Sequence, residues 1–593
     1  MSGQAPVDID TATLPSDQIK APMRVRLVEP NLRFRVVVGF FILAMGLYTM
    51  RVVELQIIRG PANARAAYNQ RVQTFIVPAQ RGEITDVNGQ TLATTIQTVN
   101  VTTDQTLIRN PLATARALAP ILKMPIKRIA TTLDGKARYK IVARGVTSSQ
   151  WRKIASLDLA GIFHEPTVTR SYPGGTLAAN ILGYVGDEGK GLGGLEFALD
   201  KTLMGVNGTS TVEQVNGREI PTSERHTIDP INGTSVQLTI DADLQGIVER
   251  ALANGVRKAG AEAGDVIVMD PRTGNILSMA TYPTFNPNKP QGTEDLYKQN
   301  HPVTFGFEPG STSKMMTMAA VLEEGKAKPQ SGFTVPSGLP RGGTTFHDDI
   351  PHGRWRLTLT GILARSSNMG TILAAERIGK QKLYDYLRKF GIGESTGLSF
   401  PGESSGILPT LDKWSSTTFP TLAFGQGLNV TALQVASVYS TIANNGVRLK
   451  PRLIDGTFDA NGKYQPTPES PGVRVVSKKT AKWVREMLES VVSSEGTAAG
   501  ATISGYRVAG KTGTAYRWDS KLHRYNGYVA SFVGMAPADK PSLVVAVIMH
   551  RPVNGHFGSV VSAPVFKIVM TYALQHLRIP PTGSKSPHLP TTW

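Results

Sequence analysis

The sequence predicts an α+β domain over residues 236–577, preceded by a mostly β segment over 60–235 and a single apolar helix near the N-terminus. Three observations predict it. Strand-type runs stand at both ends of the later stretch with helical patterns between them, as in an α+β domain whose sheet uses both ends of the chain. The texture changes at Ser235, from short Gly/Thr-rich runs to longer periodic ones. Residues 36–50 carry no charge over fifteen positions.

The polar N-terminal stretch is broken by Pro6, Pro15, Pro22 and Pro30 and reads as a flexible tail over 1–33. The uncharged run is short for a span, because about 20 residues cross a hydrocarbon core. Extending it to Phe34 and Val53 brings in Arg35 and Arg51, which can snorkel to the two interfaces, so a membrane helix is expected over 34–55. Ala62-Asn63-Ala64 matches a small-residue cleavage site but lies well beyond the run, so the helix reads as an uncleaved anchor. Arg24, Arg26, Arg33 and Arg35 precede it and Arg51, Arg59, Arg65 and Arg71 follow it, so charge does not set its orientation.

From residue 60 to 235, short apolar runs at 74–77 and 99–102, a turn at Val87-Asn88-Gly89 and a modest helical stretch at 113–122 predict an elongated, mostly β module with small helices. Gly189, Gly191 and Gly194 form a nominal G-x-G-x-x-G, but no βαβ pattern surrounds them and no dinucleotide site is expected. Beyond it, 235–240 reads as a strand, 241–256 as a helix, and 265–269 with 275–280 as a hairpin turning at 271–274. Near the end, 529–535 and 543–549 form a second strand pair and 565–577 a helix, while the Pro-rich residues 578–593 are expected to be disordered.

Composition narrows the function classes. With 40% hydrophobic and 18% charged residues, the 593-residue chain has material for a sizeable core. The net charge of +19 suits an anionic partner: nucleic acid, a membrane surface or an anionic polymer. Zinc-finger spacing, an RNP-like aromatic motif and a basic helix on heptads are all missing, so nucleic acid is not expected. No cysteine occurs, which excludes a disulfide framework and a cysteine–metal site.

The chemistry centres on Glu308-Pro309-Gly310-Ser311-Thr312-Ser313-Lys314. Pro309-Gly310 is a turn, Ser311 is of helix-capping type, and residues 315–322 are almost wholly apolar, the mark of a buried helix. A hydroxyl and an amine three residues apart then share one face. Desolvation lowers the pKa of such an amine and lets it act as a base. S-x-x-K occurs once, at Ser311 and Lys314; S-x-N once, at Ser366 and Asn368; K-T-G once, at Lys511-Thr512-Gly513, followed by Thr514. In this order, inside one domain, they form a coherent set. Ser311 is the nucleophile and Lys314 its proton acceptor. Ser366 and Asn368 relay the proton and orient the lysine and the substrate amide. Lys511 supplies charge for an anionic substrate, and the Thr512 and Thr514 hydroxyls bind its carboxylate. Gly513 lets the substrate backbone approach. The backbone N–H groups of Ser311 and Thr514 form the oxyanion hole. Two other patterns are set aside. Gly402-Glu403-Ser404-Ser405-Gly406 matches G-x-S-x-G, but Ile407-Leu408-Pro409 follows where a helix is needed. His347, Asp348, Asp349 and His352 lie in a Gly/Pro-rich loop and read as solvated, not as a metal site.

With these residues in view, the chain resembles the class B penicillin-binding proteins, from about Arg81 to Phe566. Arg81-Gly82-Glu83-Ile84 with Asp86, Asn88-Gly89 and Leu92-Ala93 resembles their N-terminal box, and Arg170-Ser171-Tyr172-Pro173 and Gly194-Leu195-Glu196 the next two. Gly425-Gln426-Gly427 with Thr431 and Gln434 resembles a later helix region, and Ala530-Ser531-Phe532-Val533-Gly534 is closer to the division-specific, FtsI-type branch. His550-Arg551-Pro552 and Gly558-Ser559 depart from the pattern, where many members have an acidic residue, a proline segment and a Gly-Gly pair. The resemblance implies a β-lactamase-like transpeptidase domain on a pedestal, a bacterial inner-membrane anchor with a cytoplasmic N-terminus, and a periplasmic catalytic domain at the division septum. It implies no cofactor and no metal. It implies acylation of Ser311 by peptidoglycan stem peptides and cross-linking to a neighbouring stem, with β-lactams as covalent inhibitors. The implied partners are a SEDS-type glycan polymerase and other division proteins. The alternatives are an elongation-type transpeptidase, a D,D-carboxypeptidase or β-lactamase-like hydrolase, and a β-lactam sensor or divisome scaffold.

Overall fold

The computed structural model describes residues 30–215, 218–220, 225–459, 461–519 and 522–593. Most of the expected N-terminal tail therefore lies outside the described residues. The chain forms two units, Met1–Phe75 with Ser210–Thr227, and Ile76–Thr209 with Ile228–Trp593.

In the smaller unit, helix α1 (Pro30–Val53) runs on through a wider helical turn at Glu54–Ile58. The apolar run Asn31–Ile58 has a mean hydropathy of 2.1 and buries none of its most apolar window; Phe40 and Phe41 are 69% and 66% exposed. At 1.5 Å per residue these 28 residues extend about 42 Å, more than the ~30 Å hydrocarbon core. Such a surface is the signature of a membrane segment and not of a core helix. The helix starts four residues before the expected 34, because Pro30 suits a first helical turn.

The larger unit contains, in order, β1 (Ile84–Thr85), β2 (Thr91–Thr103), β3 (Lys140–Thr147), β4 (Ile162–Ser171), β5 (Ser235–Leu238), α2 (Ala242–Ala259), β6 (Ala263–Met269), β7 (Ile276–Tyr282), α3 (Lys314–Glu323), α4 (Asn368–Glu376), β8 (Ile454–Phe458), β9 (Tyr464–Pro466), β10 (Ala509–Asp519), β11 (Arg524–Ala536), β12 (Leu543–His550) and α5 (Ala563–His576). One sheet has the order β9-β8-β5-β1-β2-β3, with β4 also on β2. It crosses the boundary expected at 235/236: β1 pairs in parallel with β5, Ile84 opposite Val236, and β5 pairs with β8. The composition changes there but the core does not, since Ile84, Leu92, Val236 and Leu238 are buried in one cluster. A second, smaller core of Val101, Leu118, Ile129, Val142 and Ile154 holds the far part of β2 and β3 with their helices.

The other sheet has the order β7-β6-β12-β11-β10, drawing on both ends of residues 236–577 as the sequence implies. Every residue of β6 and β12 is buried, as expected for central strands covered on both faces. Helices α2 and α5 pack together on this sheet, and the wholly buried helix Ala432–Ala443 packs on the same central strands. Strand β10 is the edge, so its outer row of backbone groups is unpaired within the sheet.

The C-terminal residues depart from expectation. Residues 578–593 are docked, not disordered. The Thr591 carbonyl accepts from Thr358 N–H at 3.0 Å, the Pro590 carbonyl from the Thr358 hydroxyl at 2.6 Å, and Trp593 Nε1 donates to the Phe333 carbonyl at 3.1 Å. Proline-rich composition lowers periodicity, but carbonyls need no periodicity to be good acceptors, and one terminal tryptophan supplies a large contact.

Candidate active site

Ser311 does not cap α3. Gly310, at φ +53°, turns the chain into a tight 3-10 turn, Gly310–Ser313, and the regular helix begins at Lys314. All positions from Lys314 to Leu322 are buried. Gly325, at φ +65°, ends the helix through bonds from its own N–H to the Leu322 carbonyl and from Lys326 N–H to the Val321 carbonyl. The Ser311 turn is clamped from two sides. A Cβ on Gly425 would meet the Gly310 carbonyl oxygen at 2.1 Å, and one on Gly513 would meet the Ser531 hydroxyl at 2.3 Å and the Pro309 carbonyl at 3.0 Å. The packing of β10 on the Ser311 turn therefore excludes a side chain at Gly513. The buried Tyr439 hydroxyl donates to the Thr312 carbonyl at 2.9 Å and fixes the turn from beneath.

The S-x-N motif is a junction between two helices. After Leu359–Ala364, Ser366 sits at φ +59°, its N–H bonded to the Leu363 carbonyl, while Ser367 N–H bonds the Ile362 carbonyl. This is the double bond of a glycine-type helix stop, built here on a serine at a cost of about 1 kcal/mol or more in strain. Ser367 then caps α4 by accepting from Gly370 N–H at 2.9 Å. The left-handed backbone projects the Ser366 hydroxyl between two lysines. Lys511 Nζ donates to it at 2.9 Å and Lys314 Nζ at 3.2 Å, and Lys314 Nζ also reaches the Ser366 carbonyl at 2.5 Å.

Both lysines are fully buried. Burial pulls the Lys314 amine down to about 8, against the upward pull of Asp349 and Asp348. Burial, then repulsion from Lys314, holds Lys511 well below the usual lysine range, with Asp349 opposing. A neutral amine is thus accessible near neutral pH. Lys511 Nζ also touches the Thr512 carbonyl at 3.1 Å and the Thr512 hydroxyl at 3.3 Å, and that hydroxyl lies 3.0 Å from Thr497, so Thr512 is engaged within the protein. Thr514 is half-buried, and its hydroxyl accepts a long bond, 3.4 Å, from Gly558 N–H.

Hydrogen bonds join Lys314, Ser366, Lys511 and Thr512; Ser311 stands on the turn just before Lys314 and Thr514 on β10 three residues beyond Lys511, while the Asn368 side chain bonds neither lysine. Its side-chain amide lies 3.4 Å from the His347 carbonyl and 3.4 Å from Asp349, facing the loop before it. In that loop His347 and Asp349 are exposed as expected, but the Asp348 and His352 side chains are only 4% exposed. Asp348 accepts from Ser367 Oγ at 2.6 Å and Met369 N–H at 2.9 Å, and lies 2.9 Å from His352 Nε2. His352 stacks on Trp355 at 3.5 Å between centroids. Asp348, His352 and Thr497 are the residues that sequence reasoning missed as parts of the site. No local sequence signal marks them, since the Asp348–Ser367 bond joins residues nineteen apart. The sequence departure at His550 has its own explanation: His550 Nε2 lies 2.8 Å from Asp265 Oδ2, both buried within the sheet. Gly402–Gly406 is an irregular loop with no helix after it, as expected. Among the described residues no three His, Asp or Glu side chains gather in a metal-binding group.

Residues 264–571 match the penicillin-binding protein transpeptidase domain model, and residues 76–238 the penicillin-binding protein dimerisation domain model. The chain is 36% identical to the penicillin-binding protein PbpB of Mycolicibacterium smegmatis over 91% of this chain and 89% of that one. It is 33% identical to the peptidoglycan D,D-transpeptidase FtsI of Escherichia coli K12 over 93% and 94%. The crystal structure of penicillin-binding protein 3 from Mycobacterium tuberculosis complexed with aztreonam superposes with a TM-score of 0.70 at 33% identity, covering 88% of this chain and 100% of that one. With both domain models matched in order and full-length relatives on either side of 35% identity, the chain belongs to the class B penicillin-binding proteins, the family of FtsI-type peptidoglycan D,D-transpeptidases.

Proposed function

We propose that this protein cross-links peptidoglycan stem peptides by a serine acyl-enzyme route during septal wall synthesis, and that Ser311 is its nucleophile. The observation that carries the reading is the convergence of three distant motifs on the Ser366 hydroxyl, beside the buried turn that holds Ser311. Neutral Lys314 takes the Ser311 proton as Ser311 Oγ attacks the carbonyl carbon of the penultimate D-alanine. The backbone N–H groups of Ser311 and Thr514 receive the developing oxyanion. Ser366, bonded to both lysines, passes a proton to the departing D-alanine amine as the peptide C–N bond breaks and the Ser311 ester remains. Lys511, with Thr512 and Thr514, meets the substrate carboxylate; the tie of Thr512 to Thr497 leaves Thr514 the freer hydroxyl. Attack by the amine of a neighbouring stem then breaks the ester and returns the proton to Ser311. Asn368 turns from its present partners to the substrate amide.

The apolar helix Asn31–Ile58 anchors the protein in the inner membrane. We assign residues 1–33 to the cytoplasm, 34–55 to the span, 60–235 to the pedestal and 236–577 to the catalytic domain, all beyond the span being periplasmic. A SEDS-type glycan polymerase and other division proteins are the partners this arrangement suits, and β-lactams the covalent inhibitors. The test is labelling of the purified protein by a fluorescent penicillin, with and without S311A. Stable labelling of the wild type and none of the variant is expected. Labelling of S311A overturns the nucleophile, and rapid loss of label from the wild type favours a hydrolase. Depletion in cells gives filaments for a septal role; rounded cells overturn it.

A further inference from the structure

Cross-linking requires a second substrate, an amine that is cationic in water at neutral pH, and nothing described so far receives it. Glu308 lies three residues before Ser311, on the segment that packs against β10: a Cβ on Gly310 would stand 3.1 Å from the Thr514 carbonyl oxygen. Its carboxylate spans two elements. One oxygen accepts from Gly427 N–H at 3.3 Å, on the loop after Gly425, and from the Tyr525 hydroxyl at 3.3 Å, on β11 opposite the β10 edge. Both bonds are long for a carboxylate, whose charge-assisted bonds normally run at about 2.7–2.9 Å. Among the described residues no cation pairs with Glu308, although the chain carries 64 Lys and Arg against 45 Asp and Glu. Burial holds the Glu308 carboxyl above the usual carboxylate range, which an arriving cation would reverse.

The ring faces beside it fit the same ligand. Tyr525 meets Trp518 edge-on at 5.4 Å and Tyr516 at 5.9 Å, and all three are about half exposed on β10 and β11. Exposed aromatic faces attract ammonium groups through the ring quadrupole, and more strongly when partly desolvated. An under-bonded carboxylate without a cation, next to the nucleophile turn and framed by aromatic rings, has the composition of an ammonium site. We infer that Glu308, framed by Tyr525, receives the protonated amine of the acceptor stem peptide and takes one proton from it, so that the neutral amine attacks the Ser311 ester and passes its second proton to the departing Ser311 oxygen. This rests on the cross-linking reading above and names the group that selects its second substrate.

The experiment measures, with the full chain in detergent, the partition of a thioester acyl-D-alanine donor between water and two acceptors: a primary ammonium (the side-chain amine of Nα-acetyl-lysine) and uncharged hydroxylamine. E308Q is expected to lower the ammonium-to-water ratio at least tenfold and the hydroxylamine ratio less than threefold, while E308D keeps most of the ammonium ratio. Equal loss with both acceptors, or no loss, overturns the inference. A parallel fall in the rate of fluorescent-penicillin acylation also overturns it, because Glu308 would then act on the donor half or on folding. A wild-type protein that only hydrolyses the donor overturns the cross-linking reading itself, and this inference with it.

Discussion

The Lys511 amine lies 2.9 Å from the Ser366 hydroxyl, and that same hydroxyl lies 3.2 Å from the Lys314 amine. A hydroxyl oxygen has two acceptor positions and one proton. With both positions filled by lysines, the proton is free to point out of the pair. Replacing Ser366 with alanine removes the bridge but leaves both lysines buried. General acid–base groups contribute about 10²–10⁴ in rate, so S366A should acylate with a β-lactam roughly a hundredfold or more slowly. Alanine keeps the left-handed strain and takes an acceptor from both buried lysines, so the melting temperature of S366A should fall modestly. Stopped-flow acylation and thermal unfolding on one preparation check both halves, and S366A acylating at the wild-type rate would remove Ser366 from the relay.

The pH dependence follows from Lys314. Its amine, pulled to about 8 by burial, must be neutral to accept the Ser311 proton. The acylation rate should therefore rise with pH up to about 8 and level above it. Asp349 opposes the downward shift, so D349N should move the rising limb to lower pH. Stability carries the matching sign. Between about 8 and the ordinary lysine value of 10.5 the unfolded chain holds the proton and the folded one does not, so this group makes unfolding harder as pH rises through that window. A limb that moves to higher pH in D349N would contradict the assignment of that carboxylate.

How much of this was legible in the sequence depends on distance along the chain. Ser311 and Lys314 share one turn, so their spacing alone encodes a common face, and the paired strands at the two ends of the domain carry period-2 and apolar signals strong enough to read. Asp348 is different. It lies nineteen residues from Ser367, in a segment whose Gly, Pro and charges look solvated, and only tertiary packing buries it. Gly513 was legible as a glycine that matters but not why, since the atom that excludes a side chain is the Ser531 hydroxyl on the next strand. The boundary at 235/236 is a change of composition that backbone pairing ignores.

Asp348 ties the loop before it to the S-x-N junction. Its side chain is 4% exposed and makes three polar contacts, to Ser367, Met369 and His352. Hydrogen bonds to a charged group are worth about 1.5–3 kcal/mol each, so D348A should destabilise the domain by several kcal/mol. D348N keeps the shape and can still accept, and should cost about 2 kcal/mol. Because Ser367 and Ser366 are adjacent, both variants should also slow acylation. The ordering of rates, wild type above D348N above D348A, separates positioning from mere unfolding when rates are read well below the melting temperature.

The last four residues reach the same junction from its other end. Thr358 caps Leu359–Ala364 by accepting from Gly361 N–H at 3.0 Å, and its own N–H and hydroxyl are bonded by the Thr591 and Pro590 carbonyls. Thr591 also donates to Glu495 at 2.6 Å, and the Trp593 ring covers Gly332, where a Cβ would stand 2.6 Å from it. The helix so capped ends at Ser366. Deleting residues 590–593 leaves the Thr358 N–H to water and removes five hydrogen bonds, each worth about 1 kcal/mol net. The truncated protein should melt several degrees lower and acylate more slowly, with a larger deficit as temperature rises. W593A should show part of the same loss. Thermal unfolding of the two variants beside the full chain is the measurement, and a truncated chain that melts with the wild type would mean that the docked segment adds nothing to the domain it covers.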